Sequence, residues 1–332
     1  MKDKVYVIAE IASAHEGDVE LAWELYQLAN KTGACAVKLQ IFQRDCLLSK
    51  YHHMYDEFGK IEIKKQDWTA LLAKAGGLTS DIIIEVFDES SLELSESSGV
   101  VTAYKIPTSN IGDKLFMKSV ASTGKPIYLG VGGATMQEIS SAVDYLKTIE
   151  TGKLILMHGI QSFPTKLEDS QISLIHTLID KYHLDVGYAD HISAEETVLA
   201  VVLPAMAVAA GATVIEKHIT IDRSKKGRDY FSSFEFLEFK SFVSKMGNMN
   251  VILGSQNNAL LEAESVYRDL MKKQAVASKN LFVNDRVGFE DFEFKRTGIP
   301  GLSHEDISKI YGKKLKNNKN KDEPVILEDF HE

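Results

Sequence analysis

The chain has 332 residues, 44% of them hydrophobic and 26% charged, with a formal net charge of −9. These proportions exclude disordered and fibrous classes, and the acidic balance argues against nucleic acid, which needs a positive footprint. No run of about 18 apolar residues occurs. The nearest approach, 198–212, is broken by Pro204, and the opening MKDKVYVIAE has no apolar signal core. Neither a membrane span nor export is therefore expected, and the chain is read as cytoplasmic. The two cysteines, Cys35 and Cys46, are read as packing residues.

Short apolar, β-branched runs at 5–12, 36–42, 82–87, 103–107, 126–131, 154–159, 185–190 and 214–219 predict strands. Helix-period stretches alternate with them at 18–31, 66–76, 89–98, 112–122, 135–147, 172–181, 194–210 and 234–253. Asp18 precedes the first helix, and Thr135 with Glu138 and Ser193 with Glu196 have capping-box spacing. Eight strands and eight helices in about 250 residues predict a (β/α)8 TIM barrel. A doubly wound sheet is the competing arrangement, but no G-x-G-x-x-G follows the first strand. The loop at 45–65, holding His52 and His53, is expected to form a lid. From about residue 272 the pattern changes to strand-like pieces at 275–277, 292–295 and 324–326, a short helix at 304–311 and a basic solvated loop at 313–321. The expected domains are a barrel over 1–265 and a small mixed domain over 272–332.

Reactive groups of a (β/α)8 barrel sit where its strands end. The strand ends here carry Glu10, Lys38 with Gln40, Glu85, Lys105, His158, Asp190 with His191, and Glu216 with His218. Only the fifth, at 130–133, brings no reactive side chain. Unpaired buried ions are costly, so this many polar ends point to a site. Internal pairs such as Lys105 with Glu85, or Glu216 with Lys217, would account for single cases. His191 and His218 on neighbouring strands are candidate ligands for one divalent ion with open positions, with Glu10 beside them, although two such histidines are as readily core or loop residues. Lys38 and Lys105 would repel unless an anion lay between them, which predicts a phosphate or carboxylate site, or internal pairing with Glu10 and Glu85. Gly132 and Gly133 ahead of Thr135 offer backbone N–H groups to an anion. Asp229, in the loop after the eighth strand, adds a carboxylate or simply marks a surface turn.

An ordered series of strings carries a resemblance: AEIASAHEG at 9–17, VKLQ at 37–40, YKIPT at 104–108, STGKPI at 122–127, FPT at 163–165, GYADH at 187–191 and EKHIT at 216–220. FKRTG at 294–298, followed by Ile310, Tyr311 and Gly312, completes it. The chain resembles the sialic acid synthases, including their legionaminate and pseudaminate relatives. The resemblance implies a barrel followed by a small antifreeze-like (SAF) domain, in a domain-swapped homodimer. It implies condensation of phosphoenolpyruvate with an open-chain N-acylated hexosamine, assisted by Mn2+ or Mg2+. His191 and His218 match its metal ligands, and Lys38 and Lys105 its donor-binding lysines. Glu10, Gln40 and Asp229 match sugar contacts, Thr108, Gln161, Phe163 and Asp190 are expected to bind substrate as well, and Arg296 matches an arginine sent to the partner's sugar. Gln161 replaces an asparagine and Phe163 a sugar-side tyrosine. Further departures are Glu85 for a phosphate-binding threonine, Gly130 and Ala189 for serines, and Asn110 for a sugar-side carboxylate. Glu-Val at the third strand resembles the related deoxyheptulosonate-forming barrel, which also uses phosphoenolpyruvate, and Glu85 is kept as a catalytic candidate. The rival readings are a Schiff-base pyruvate aldolase with Lys105 or Lys38 as nucleophile, and a non-catalytic sugar-acid-binding homologue.

Overall fold

A computed structural model of the chain describes residues 4–149, 151–254 and 259–331. It divides into two compact units, Met1–Gly254 and Ser255–Glu332, so the first ends earlier than the expected boundary at 265. In the first unit, strands β1 (Tyr6–Glu10), β2 (Ala36–Ile41), β3 (Asp81–Val86), β4 (Ala103–Ile106), β5 (Ile127–Gly130), β6 (Leu154–His158), β7 (Asp185–Asp190) and β8 (Val214–His218) form a closed barrel. Every pairing is parallel, including the one that closes β1 on β8.

Alternation along each strand sorts side chains into two cores. Val37, Leu39 and Ile41 of β2 join the large cluster between sheet and helices, while Ala36 joins the smaller one inside the barrel with Ile8, Ile83, Tyr128 and Val214. Gly187 of β7 is glycine because a Cβ there would collide with Met157 and Val214, which fill the barrel interior. The surrounding helices are amphipathic: Val19–Lys31 buries Ala22, Leu25, Tyr26 and Ala29, the i, i+3, i+4, i+7 stripe of a helix lying on a sheet. Each such leucine contributes about 1.5–3 kcal/mol by leaving water. Asp18 caps that helix by accepting from the amides of Glu20 and Leu21, and Thr135 with Glu138 forms a complete capping box.

Three local expectations are corrected. Ser193 does not cap, because the helix begins only at Leu199 and the Ser193 hydroxyl instead accepts from the amide of Glu195. The stretch 234–253 breaks at Asn248 into Phe236–Gly247 and Met249–Leu253. The loop at 45–65 contains two short helices, Arg44–Leu47 and Tyr55–Ile61. Gly17, at φ 87°, lies against the backbone of Lys60, so a side chain there would push this segment away from the loop after β1.

The second unit has its own small core, including Ala275, Leu281, Val287, Ile310, Leu315 and Val325. β9 (Gln274–Ala277) and β10 (Phe292–Lys295) pair antiparallel, and the expected helix at 304–311 is a short 3-10 turn, Ile307–Ile310. Among the described residues, no helix is long and apolar enough to cross a membrane.

Candidate active site

The inward-facing positions at the strand ends converge on one cavity of about 790 Å³. Glu10, Lys38, Gln40, Glu85, Lys105, Glu216 and His218 line it from the strands, and Thr108, Gln161, Phe163, His191 and Asp229 from the loops. Strand register sets the neighbours. Glu10 lies beside Lys38 on one side and His218 on the other, and Glu85 lies between Gln40 and Lys105.

The floor is an ion cluster. Lys38 Nζ lies 2.8 Å from Glu85, 2.8 Å from Glu216 and 3.0 Å from Glu10. Lys105 Nζ lies 2.8 Å from the same Glu216 oxygen and 3.7 Å from Glu85. The two lysines thus share carboxylates, the internal pairing that the sequence offered as an alternative. Three carboxylates face two ammonium groups, all nearly out of solvent. Burial opposes each of these charges, yet the lysines hold Glu216 and Glu85 below the usual carboxylate range. Burial likewise opposes the charge of Lys105, but Glu216 and Glu85 raise it above its ordinary value. Among the described residues, neither oxygen of Glu10 nor Oε2 of Glu216 receives a hydrogen bond. That is an expensive condition for buried carboxylates.

His191 and His218 stand together with ring centroids 5.4 Å apart, and Phe163 packs on His191 at 4.4 Å. Nδ1 of His191 lies 2.8 Å from the carbonyl oxygen of Ile160. The nitrogen facing a carbonyl is the one that carries the proton, so Nε2 keeps its lone pair. Burial lowers both imidazoles, His218 the further because His191 opposes its charge. His218 Nδ1 is buried without a partner. Two neutral imidazoles, one with an orphaned nitrogen, are candidate donors to a divalent ion, while Glu10 beside them is already paired through Oε2 with Lys38 at 3.0 Å. Among the described residues no group of three or more His, Cys, Asp or Glu side chains is arranged to hold a metal ion.

The other expected residues divide by strand parity. Asp190 does not line the cavity. On β7, Ala189 and then His191 face inward, so Asp190 turns outward, where it pairs with Lys217 Nζ at 2.5 Å with both side chains inaccessible. Lys217 also lies over the Phe234 ring at 4.6 Å. Glu216 therefore does not pair with Lys217, the alternative the sequence left open, but lines the cavity as a strand-end residue. His158 also turns outward, towards Tyr188, while Met157 takes its place inside. Asp229 adopts φ 60°, and burial raises its carboxyl above the ordinary value. Thr108 and Gly130 are adjacent, a Cβ on Gly130 standing 3.0 Å from both the amide nitrogen and the hydroxyl of Thr108. Arg296 lies in the second unit, exposed just past β10.

Residues 25–258 match the NeuB family. The chain belongs to the NeuB family. It is 30% identical to an N,N'-diacetyllegionaminic acid synthase of Legionella pneumophila, over 94% of this chain and 91% of that protein. It is 28% identical to an N-acetylneuraminate-9-phosphate synthase of Drosophila melanogaster, over 98% of this chain and 95% of that one. A crystal structure of N-acetylneuraminic acid synthetase from Leptospira borgpetersenii in complex with citrate superposes with a TM-score of 0.74 at 28% identity, covering 80% of this chain and 92% of that chain. This NeuB-family chain is accordingly a sialic-acid-synthase-like enzyme of the transferase type, and the barrel expected from its periodicity is the barrel found.

Proposed function

We propose that the chain condenses phosphoenolpyruvate with the open-chain aldehyde of an N-acylated hexosamine, forming a nonulosonic acid and releasing phosphate. The observation that carries this reading is the cluster itself: two buried lysines bridged by Glu216, in one cavity with a pair of neutral imidazoles. Replacing such buried ion clusters with apolar residues is often neutral or stabilising, so stability alone gives no reason to keep one.

In this reading Lys38 and Lys105 hold the anionic groups of the donor, and Gln40 and Asp229 orient the sugar hydroxyls. A divalent ion held by His191 and His218, with Glu10 adjacent, would supply Lewis acidity towards the aldehyde oxygen. The enol carbon attacks the aldehyde carbon, positive charge develops at the neighbouring enol-ether carbon, and a water molecule captures it. The water's proton passes to the former aldehyde oxygen, which becomes a hydroxyl, and the tetrahedral adduct then expels phosphate. The Schiff-base alternative needs an uncharged amine. Lys105, raised by two carboxylates, is unsuited to it, whereas burial lowers Lys38, so Lys38 is the amine on which that alternative rests. The homodimer, the antifreeze-like character of the second unit and the reach of Arg296 to a partner's acceptor belong to the same proposal. Mixing a cavity variant with an Arg296 variant tests them, since restored activity requires exchange between chains.

The deciding assay is phosphate release from phosphoenolpyruvate against a panel of N-acylated hexoses, with and without Mn2+. Aldehyde-dependent release that stops on chelation is the expected result. A borohydride-trapped pyruvate adduct with chelator-resistant turnover would replace this reading with the aldolase.

A further inference from the structure

The cavity floor holds one more carboxylate than ammonium group, Glu10, Glu85 and Glu216 against Lys38 and Lys105. The three carboxylates are not equivalent. Glu10 accepts no hydrogen bond, and Glu216 keeps one oxygen unpartnered. Glu85 concentrates its contacts on a single oxygen: Oε2 accepts from Lys38 Nζ at 2.8 Å and from the Gln40 amide at 3.1 Å, and lies 3.7 Å from Lys105 Nζ. It therefore already occupies the convergent donors that an incoming anion would use.

Taking the donor to be phosphoenolpyruvate, as proposed above, we infer that Glu85 is a resident counter-anion which the donor's phosphate replaces, taking up one proton from solvent as it is displaced and then donating its O–H to a phosphate oxygen. No covalent bond changes, and the proton comes from the buffer. The charged and polar groups facing Glu85 are Lys38 and Gln40 on β2, Lys105 on β4 and, through the shared lysines, Glu216 on β8 and Glu10 on β1. In the free protein these lysines keep Glu85 ionised against the effect of burial. Once phosphate engages them, only the Gln40 amide still supports the carboxylate against that burial and against the phosphate's own charge, and the neutral acid is favoured. A neutral Glu85 then serves as a hydroxyl donor to phosphate rather than repelling it. Glu85 is thus a donor-specificity residue: it admits only an anion strong enough to take both lysines.

The test is calorimetric titration of phosphoenolpyruvate into the full chain preloaded with Mn2+, at about pH 8 where the donor is ionised, in two buffers of different ionisation heat. Uptake close to one proton per donor bound is expected. Glu85→Gln, which is neutral and isosteric, should take up none and bind at least about tenfold more tightly. Thermal melting establishes whether that variant is folded; if it is not, the wild-type proton count decides alone. Donor binding by the wild type without proton uptake, or unchanged or weaker binding by folded Glu85→Gln, overturns the inference and leaves the donor assignment standing. Absence of binding to both proteins overturns the donor assignment and this inference with it.

Discussion

The barrel is hollow at both ends, and the ends differ in chemistry more than in size. Opposite the charged mouth lies a second cavity of about 680 Å³, lined by Tyr6, Asp81, Tyr128, Lys153 and Asp185 among others. There the polar groups satisfy one another: Tyr6 donates to Asp81 at 2.6 Å and Lys153 pairs with Asp185. At the mouth, Glu10, Glu216 and His218 each present a buried atom without a partner. A void by itself is weak evidence of function. Buried polar atoms left unanswered are costly to the fold, and they mark the end where a ligand would complete the bonding.

Four experiments press on that contrast. The largest effect is expected from His191→Ala, which should lower phosphate release about 10²–10³-fold and abolish its metal dependence. Unchanged turnover after chelation would remove the histidine pair from the mechanism. Next, Lys38→Met should cost about 3–5 kcal/mol of stability in urea unfolding, because it leaves three carboxylates with one ammonium group.

A pH titration of stability sharpens the contrast with a buried group outside the cavity lining, His15, which is polar yet satisfied. Its Nδ1 accepts from the amide of Gly17 at 3.0 Å, its ring meets Trp68 edge-on, and burial lowers it to about 4. Above its unfolded value of about 6.5 both states are neutral; from there down to about 4 the unfolded chain alone binds the proton, so stability should fall by roughly 3 kcal/mol. His15→Gln should flatten that part of the profile, and a profile unchanged by the replacement would refute the assignment. The smallest effect belongs to the far end. Tyr6→Phe should cost about 1 kcal/mol and leave phosphate release intact. If it reduced turnover as His191→Ala does, the distinction between the two ends would collapse.

The barrel was legible in the sequence because short apolar, β-branched runs and helix-period stretches alternate eight times over, and buried parallel strands rich in Val and Ile such as 82–86 read clearly. The cavity residues were legible too, since strand ends in a barrel point to one place. What misled was parity. A shift of one residue reverses the face of a strand. Asp190 and His158 share the strand ends with inward neighbours but look outward, and Glu216 looks inward although Lys217 beside it offered a ready partner. The inward set Ala36, Lys38, Gln40 on β2 and Val214, Glu216, His218 on β8 follows from counting by twos. The helices Arg44–Leu47 and Tyr55–Ile61 were hidden because runs of four and seven residues are too short to show a period.

Gly130 and Thr108 leave a practical consequence for anyone redesigning this enzyme. With only 3.0 Å between a would-be Cβ and the threonine's amide and hydroxyl, the two positions behave as one steric unit. A serine placed at residue 130 alone would press its Cβ on Thr108, which would have to give by a few tenths of an ångström. Libraries aimed at this edge of the cavity should vary the pair jointly, trading bulk at one position for space at the other.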